Sequence, residues 1–270
     1  MPNTSEPIRH NLTENPRLAV VTGASGGLGG EFARQLAAGG YNLVLSGRRV
    51  ERLQNLAAEM RQHYNIQVAV LQADLAKIDE LRGLEDELRK MERIDVLINN
   101  AGFGATGRFW QVDIETQANM LLVHDLATMR LTHAVLPGMV ARRAGGVIQV
   151  SSLAAFLRRR NSVMYSATKS FLVAFSQALV DDLKGTGVRV QVLCPGFIVT
   201  EFHEPQEMQS FDRERIPRLL WLHAQDVVRE SLTAIQQGSG MVIPGFWYRV
   251  STILLRLPGI GGILEKLAGD

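Results

Sequence analysis

With 270 residues, 46% of them hydrophobic and 21% charged, the chain has the make-up of a globular protein long enough for one large α/β domain. A net charge of +2, its basic residues scattered except at Arg158-Arg159-Arg160, excludes a nucleic-acid surface as the organising feature. One cysteine, Cys194, excludes an internal disulfide and suits a reducing, cytoplasmic setting, and six histidines without ligand-like spacing exclude a metal site.

No charged segment followed by an apolar run opens the chain, so a secretory leader is not expected, and residues 1–16 read as a disordered polar tail. Leu18 to Val21 is the first strand. It runs into Thr22-Gly23-Ala24-Ser25-Gly26-Gly27-Leu28-Gly29-Gly30, and a helix with Phe32, Leu36 and Ala37 inward continues to Gly39-Gly40. Strand, glycine-rich turn and helix together form a phosphate-binding context. Glycines let backbone N–H groups approach a pyrophosphate, and the helix N-terminus adds a favourable dipole.

Strands are expected at 41–45, 67–71, 94–98, 146–150 and 188–193, with a short one at 241–243. Helices are expected at 50–63, 78–91, 115–142, 161–184 and 226–236, the third with its regularity open near Pro137-Gly138. Strict alternation implies a doubly wound Rossmann fold, a mostly seven-stranded parallel sheet with helices on both faces. Ligands in such sheets bind at the carboxyl ends of the strands. No linker or internal repeat divides residues 17–245, which read as one dinucleotide-binding catalytic domain with a substrate loop at 201–225.

Tyr165 and Lys169 stand four positions apart, one turn along the same helical face. A phenol has a reference pKa of about 10, and a nearby ammonium favours its phenolate. With a serine hydroxyl from the end of the fifth strand, this is acid–base equipment for interconverting an alcohol and a ketone, given a hydride source. The second strand ends Ser46-Gly47-Arg48-Arg49, with no carboxylate to hold a ribose 2′-hydroxyl. A guanidinium there suits a 2′-phosphate, so NADP(H) is the expected cofactor, with Arg48 the main reader and Ser25 or Arg49 its helpers. Arg49 also reads as a solvated charge beginning the next helix.

These residues resemble the single-domain short-chain dehydrogenase/reductase family. Its TGxxxGxG motif is matched by Thr22, Gly23, Gly27 and Gly29, and its NNAG by Asn99, Asn100, Ala101 and Gly102. Its adenine-contacting aspartate matches Asp74, its YxxxK Tyr165 and Lys169, and its PGxxxT Pro195, Gly196 and Thr200. The family's serine lies thirteen residues before the tyrosine, which selects Ser152 over Ser151. The resemblance implies that Tyr165 is the general acid or base, that Lys169 lowers its pKa and holds the nicotinamide ribose, and that Ser152 orients the substrate oxygen. Cofactor contacts are then expected at Gly23, Ser25, Gly27, Leu28, Gly29, Arg48, Arg49, Asp74, Leu75, Asn100, Ala101, Gly102, Tyr165, Lys169, Pro195, Gly196, Ile198 and Thr200. His124 stands where the family has an asparagine that joins a water relay to the lysine. It either relays protons itself or is a packed histidine beside an altered relay.

The expected substrate is a small carbonyl or alcohol compound, lipophilic by the apolar Leu219-Leu220-Trp221-Leu222, which serves as a lid or as core. Residues 153–163, with Phe156, Leu157 and the three arginines, form the other pocket wall. The arginine run reads first as a solvated loop or subunit contact. Residues 246–270 form an amphipathic extension, too short and interrupted to span a bilayer, that covers the pocket or a homodimer or homotetramer interface. A non-catalytic NADP(H)-binding regulator is the competing reading.

Overall fold

The computed structural model describes residues 17–157, 160–199 and 217–256. The polar tail, Arg158, Arg159, Thr200, most of the substrate loop and the end of the C-terminal extension lie outside these residues.

Every core strand is short and rich in Val, Leu or Ile, as strands covered on both faces require. In chain order β1 is Leu18–Thr22, β2 Asn42–Gly47, β3 Val68–Gln72, β4 Val96–Asn99, β5 Gly145–Val150 and β6 Val188–Leu193. Two short strands, β7 (Phe197–Ile198) and β8 (Trp221–Leu222), pair with each other in parallel outside the main sheet, and β9 is Met241–Val242. The main sheet has seven strands in the order β3-β2-β1-β4-β5-β6-β9, all parallel. This is the expected doubly wound architecture, with the chain reversing direction across the sheet between β1 and β4.

Strand alternation divides the core in two. Ala19, Val21, Leu43, Leu45, Ile98 and Ile148 pack under helices α1 (Gly27–Ala38), α2 (Val50–Tyr64) and α7 (Ala224–Gln236). The intervening Val20, Val44, Leu97 and Val147 pack under α3 (Ile78–Lys90) and α5 (Ala127–Arg142). Helix α6 (Val163–Asp182) lies beside α4 (Ile114–Leu121), and α8 (Phe246–Arg256) closes the described chain.

The long helix expected at 115–142 is interrupted, but not at Pro137, which α5 carries within its run. The irregularity is a π turn at Leu122–Leu126 between α4 and α5. Wide turns of this kind re-aim side chains and recur at functional sites. Here the turn carries His124 and Asp125.

Candidate active site

The glycine-rich turn is held by contacts that leave no room for side chains. Gly23 has φ +64°, a conformation glycine adopts without a Cβ penalty. A Cβ on Gly29 would sit 2.2 Å from the Gly23 carbonyl oxygen and 2.5 Å from Asn100 Nδ2, so α1 reaches the turn only as glycine. Asn100 Nδ2 donates to the carbonyls of Thr22 (3.0 Å) and Gly23 (3.2 Å). Thr22 Oγ1 accepts from the backbone N–H groups of Asn100 (3.0 Å) and Ala101 (3.1 Å). The ends of β1 and β4 are thereby stapled, with the start of α1, Gly27 and Leu28, beside them. A bare backbone cradle at a helix N-terminus fits a pyrophosphate.

At the end of β2 the two arginines differ in their contacts. Arg48 is exposed, whereas Arg49 Nε donates to Ser25 Oγ (3.1 Å) and Nη2 to the Ser25 carbonyl (3.3 Å). Arg49, at the start of α2, is therefore anchored across the glycine turn. After β3, the Asp74 carboxylate accepts from Ala76 N (3.1 Å) while its own N–H donates to Glu80 (2.7 Å), and Leu75 is buried beneath.

On the catalytic side, β5 delivers two serines with different fates. Ser151 is buried, and its hydroxyl donates to the Lys169 carbonyl at 2.7 Å. Ser152 is partly exposed, and its Oγ accepts from Ala154 N (3.1 Å), which leaves the hydroxyl proton available to a substrate oxygen. Lys169 is buried, its Nζ 5.7 Å from the centre of the Tyr165 ring and donating to the Val150 carbonyl (3.0 Å). Burial lowers the Lys169 pKa to about 8, opposed by the negative charge of Asp125 and then by Cys194.

His124 is fully enclosed. Its Nε2 accepts the Phe103 backbone N–H (3.0 Å), so Nδ1 carries the proton and donates to Thr168 Oγ1 (2.8 Å), which in turn donates to the Tyr165 carbonyl (3.1 Å). The imidazole packs edge-on to Tyr165, ring centres 5.9 Å apart, and a Cβ on Gly102 would lie 2.9 Å from its Nε2. Burial first, and the Lys169 charge second, hold its pKa well below the ordinary value. In this structure the ring braces Phe103, Thr168 and Tyr165.

Beyond β6, the Pro195 carbonyl accepts from Leu153 N (3.0 Å), tying the cofactor-side loop to the serine turn. Ile198, in β7, is buried. Sequence reasoning missed Tyr248. Its hydroxyl accepts from Phe197 N (3.2 Å) and donates to the Leu220 carbonyl (2.5 Å), and its ring fills the space where a Gly196 side chain would stand. The first residues of the C-terminal extension thus cover the site. Within the expected lid patch, Trp221 and Leu222 form β8 and Leu219 is exposed.

Among the described residues, no cluster of three or more His, Cys, Asp or Glu side chains is arranged to hold a metal, and no helix is long and apolar enough to cross a membrane.

Residues 17–210 match the family model described as short chain dehydrogenase. Sulfoacetaldehyde reductase 2 of Chromohalobacter salexigens is 36% identical over 68% of this chain and 74% of its own. The very-long-chain 3-oxoacyl-CoA reductase of Laccaria bicolor is 35% identical over 68% of this chain, a match that spans 55% of that longer protein. A solved short-chain dehydrogenase from Sphingobium yanoikuyae in complex with NADPH superposes with a TM-score of 0.81 at 30% identity, covering 94% of this chain and 95% of its own.

Proposed function

This chain belongs to the short-chain dehydrogenase family of oxidoreductases, and on that premise we propose that it interconverts a carbonyl compound and an alcohol with NADP(H). The observation that carries the reading is the gathering of Ser152, Tyr165 and buried Lys169 beside a backbone cradle at the carboxyl ends of β1, β4 and β5. Gly23, Gly27, Leu28, Gly29 and Asn100 to Gly102 would hold the pyrophosphate and nicotinamide side, with Asp74 and Leu75 at the adenine. Arg49 on Ser25, with exposed Arg48, favours the phosphorylated cofactor through charge-assisted pairing.

When bound, the reduced nicotinamide supplies a hydride to the carbonyl carbon. Tyr165 donates its phenolic proton to the carbonyl oxygen, giving the alcohol, and takes that proton back in the oxidative direction. Ser152 donates a hydrogen bond to the same oxygen. Lys169 stabilises the phenolate, and its buried position makes that electrostatic support stronger than it would be in water.

Relatives of nearly equal identity are named for a small sulfonated aldehyde and for a very long acyl thioester, so likeness does not choose the substrate. The half-buried Phe103, Phe156 and Trp221 favour a lipophilic one. A homo-oligomer and a cytoplasmic setting belong to the same proposal. Exposed Leu121, Met129 and Phe171, on α4, α5 and α6, support self-association, and light scattering would measure it. The deciding experiment is an NADPH-oxidation screen over aldehydes, ketosteroids, quinones and 3-oxoacyl compounds. Turnover of at least one class is expected; tight NADPH binding with silence across the panel would favour the regulator instead.

A further inference from the structure

Helix α8 is turned the opposite way from α1, α2 and α7, whose apolar residues are the buried ones. On α8 the residues turned to the body are Tyr248 and Thr252, both buried, each donating its hydroxyl to a backbone carbonyl. The large apolar side chains of its first turn stand in the open. Phe246 is 65% exposed and Trp247 54%, their rings edge to face with centres 5.4 Å apart. In a helix, positions i, i+4, i+7 and i+8 share a face. The row that begins at Phe246 continues in sequence with half-buried Val250 and then Ile253 and Leu254, roughly opposite the Tyr248 side.

Two other segments add exposed apolar side chains beside this row. Leu219, 70% exposed, precedes β8, and exposed Val199 follows β7. Three contacts hold these segments against the start of α8. The Tyr248 hydroxyl donates to the Leu220 carbonyl, Val199 N donates to the Leu222 carbonyl (3.1 Å), and Leu222 Cδ2 lies 3.2 Å from the Cβ position of Gly245. The surface borders the candidate active site, because the Tyr248 ring lies against Gly196. Apolar side chains gathered in this way mark a surface that meets a partner.

Charge chooses among the partners. From Phe246 to Arg256 the helix carries two cations, Arg249 and Arg256, and no Asp or Glu. The two are seven positions apart, on one flank of the apolar row, and exposed Arg218 stands next to Leu219. Arg249 meets the Glu230 carboxylate of α7 only loosely, at 3.8 Å. Two copies joined through this face about a two-fold axis would set these arginines against their own counterparts, with no carboxylate on either helix to pair them. Lipid phosphates would pair with them instead, while the rings enter the boundary with the acyl chains. Trp, Phe and Leu along one face with Arg beside it is the composition of helices that lie in that layer.

We propose that the outer face of α8, with Leu219 and Val199, docks this protein on the surface of an anionic lipid bilayer without crossing it. The docking stands on this surface alone. Its use, the delivery of a lipophilic carbonyl compound from the bilayer to Tyr165, rests on the oxidoreductase reading.

The test is sedimentation of the full-length protein, without cofactor or substrate, with two kinds of vesicle. One is phosphatidylcholine alone, and in the other roughly a third of the lipid is phosphatidylglycerol. Wild type should pellet with the anionic vesicles, with a blue shift of tryptophan emission that Trp247→Phe removes. Partition should fall at least about ten-fold when Phe246→Ser and Trp247→Ser are combined, and at least about five-fold when Arg249→Gln and Arg256→Gln are combined. Circular dichroism reports whether each variant is folded, and the arginine variant keeps the test open if the aromatic one is not. Wild type that stays in the supernatant with both vesicles overturns the proposal, and so does a folded aromatic variant that pellets like wild type. An aromatic variant that loses an oligomer by light scattering, while wild type ignores lipid, assigns the face to a second copy and also overturns it. Absence of pelleting in a protein that reduces carbonyls with NADPH leaves the oxidoreductase reading standing. Pelleting of a protein that reduces none leaves the docking face standing.

Discussion

At the carboxyl end of β1, Thr22, Gly23, Gly29 and Asn100 lock together largely through backbone atoms. At the ends of β5 and β6, side chains from elements far apart in the chain meet: Lys169 from α6, His124 from the π turn, and Tyr248 from α8. The first arrangement tolerates almost no substitution, because a Cβ on Gly29 collides with main chain that cannot move independently. The second is held through side-chain charge and packing. On the proposed function, the nucleotide half is fixed by backbone geometry and the catalytic half by side-chain contacts.

The sharpest way to break that comparison lies in the catalytic half. Tyr165→Phe should cut kcat by roughly 1,000-fold or more, since it removes the proton donor, while NADPH affinity by fluorescence titration stays within a few-fold. Strong residual turnover would reassign the acid. Gly29→Ala attacks the other half. Forcing a methyl group into backbone should cost about 1–3 kcal/mol of stability and weaken NADPH binding by at least about ten-fold, whatever the substrate. Wild-type binding by calorimetry would contradict the rigid cradle.

Arg49→Ala sharpens the ranking of the two arginines. If Arg49 pairs with the 2′-phosphate as proposed, its loss should raise the NADPH KM about ten-fold and leave NADH nearly unchanged, with Arg48→Ala the milder variant. The reverse order would restore Arg48 as the main reader. Tyr248→Phe removes one hydroxyl that serves two backbone groups, and should lower thermal stability by about 1–3 kcal/mol. Its effect should fall on KM more than on kcat, because it acts through the Gly196 and Leu220 segments and not on the reacting atoms.

The smallest expected effect concerns His124. Its pKa in the folded protein lies well below that in the unfolded chain, so on acidification the unfolded state takes up the proton first. The contribution is fully present above the unfolded value of about 6.5 and is lost as pH falls towards the folded one. The stability difference between wild type and His124→Asn, measured by chemical denaturation, should therefore shift against the wild type as pH falls below that value. A difference independent of pH would mean that the folded and unfolded chains bind the His124 proton equally. Asp125 works in the opposite sense in the wild type, since its raised pKa favours the folded state as pH falls from about 7, so only the difference between the variants isolates the histidine.

The amino-acid sequence by itself determined the doubly wound sheet, because buried parallel strands must be apolar runs and their helices must carry an apolar stripe. It also marked the glycine cradle and the Tyr165–Lys169 pair, because close backbone approach and a one-turn spacing are local properties that leave local signatures. It did not determine that Arg49 rather than Arg48 would lie on Ser25, since the two are adjacent and identical and only the twist at the end of β2 separates them. The π turn was equally hidden: one wider turn inside a helical pattern changes the facing of His124 and Asp125 without changing their residue types. Tyr248 met Phe197 and Leu220 only once α8 had folded back over β7 and β8. Those contacts span long stretches of chain, and their partners are backbone groups that every residue carries, so tertiary structure alone could assign them.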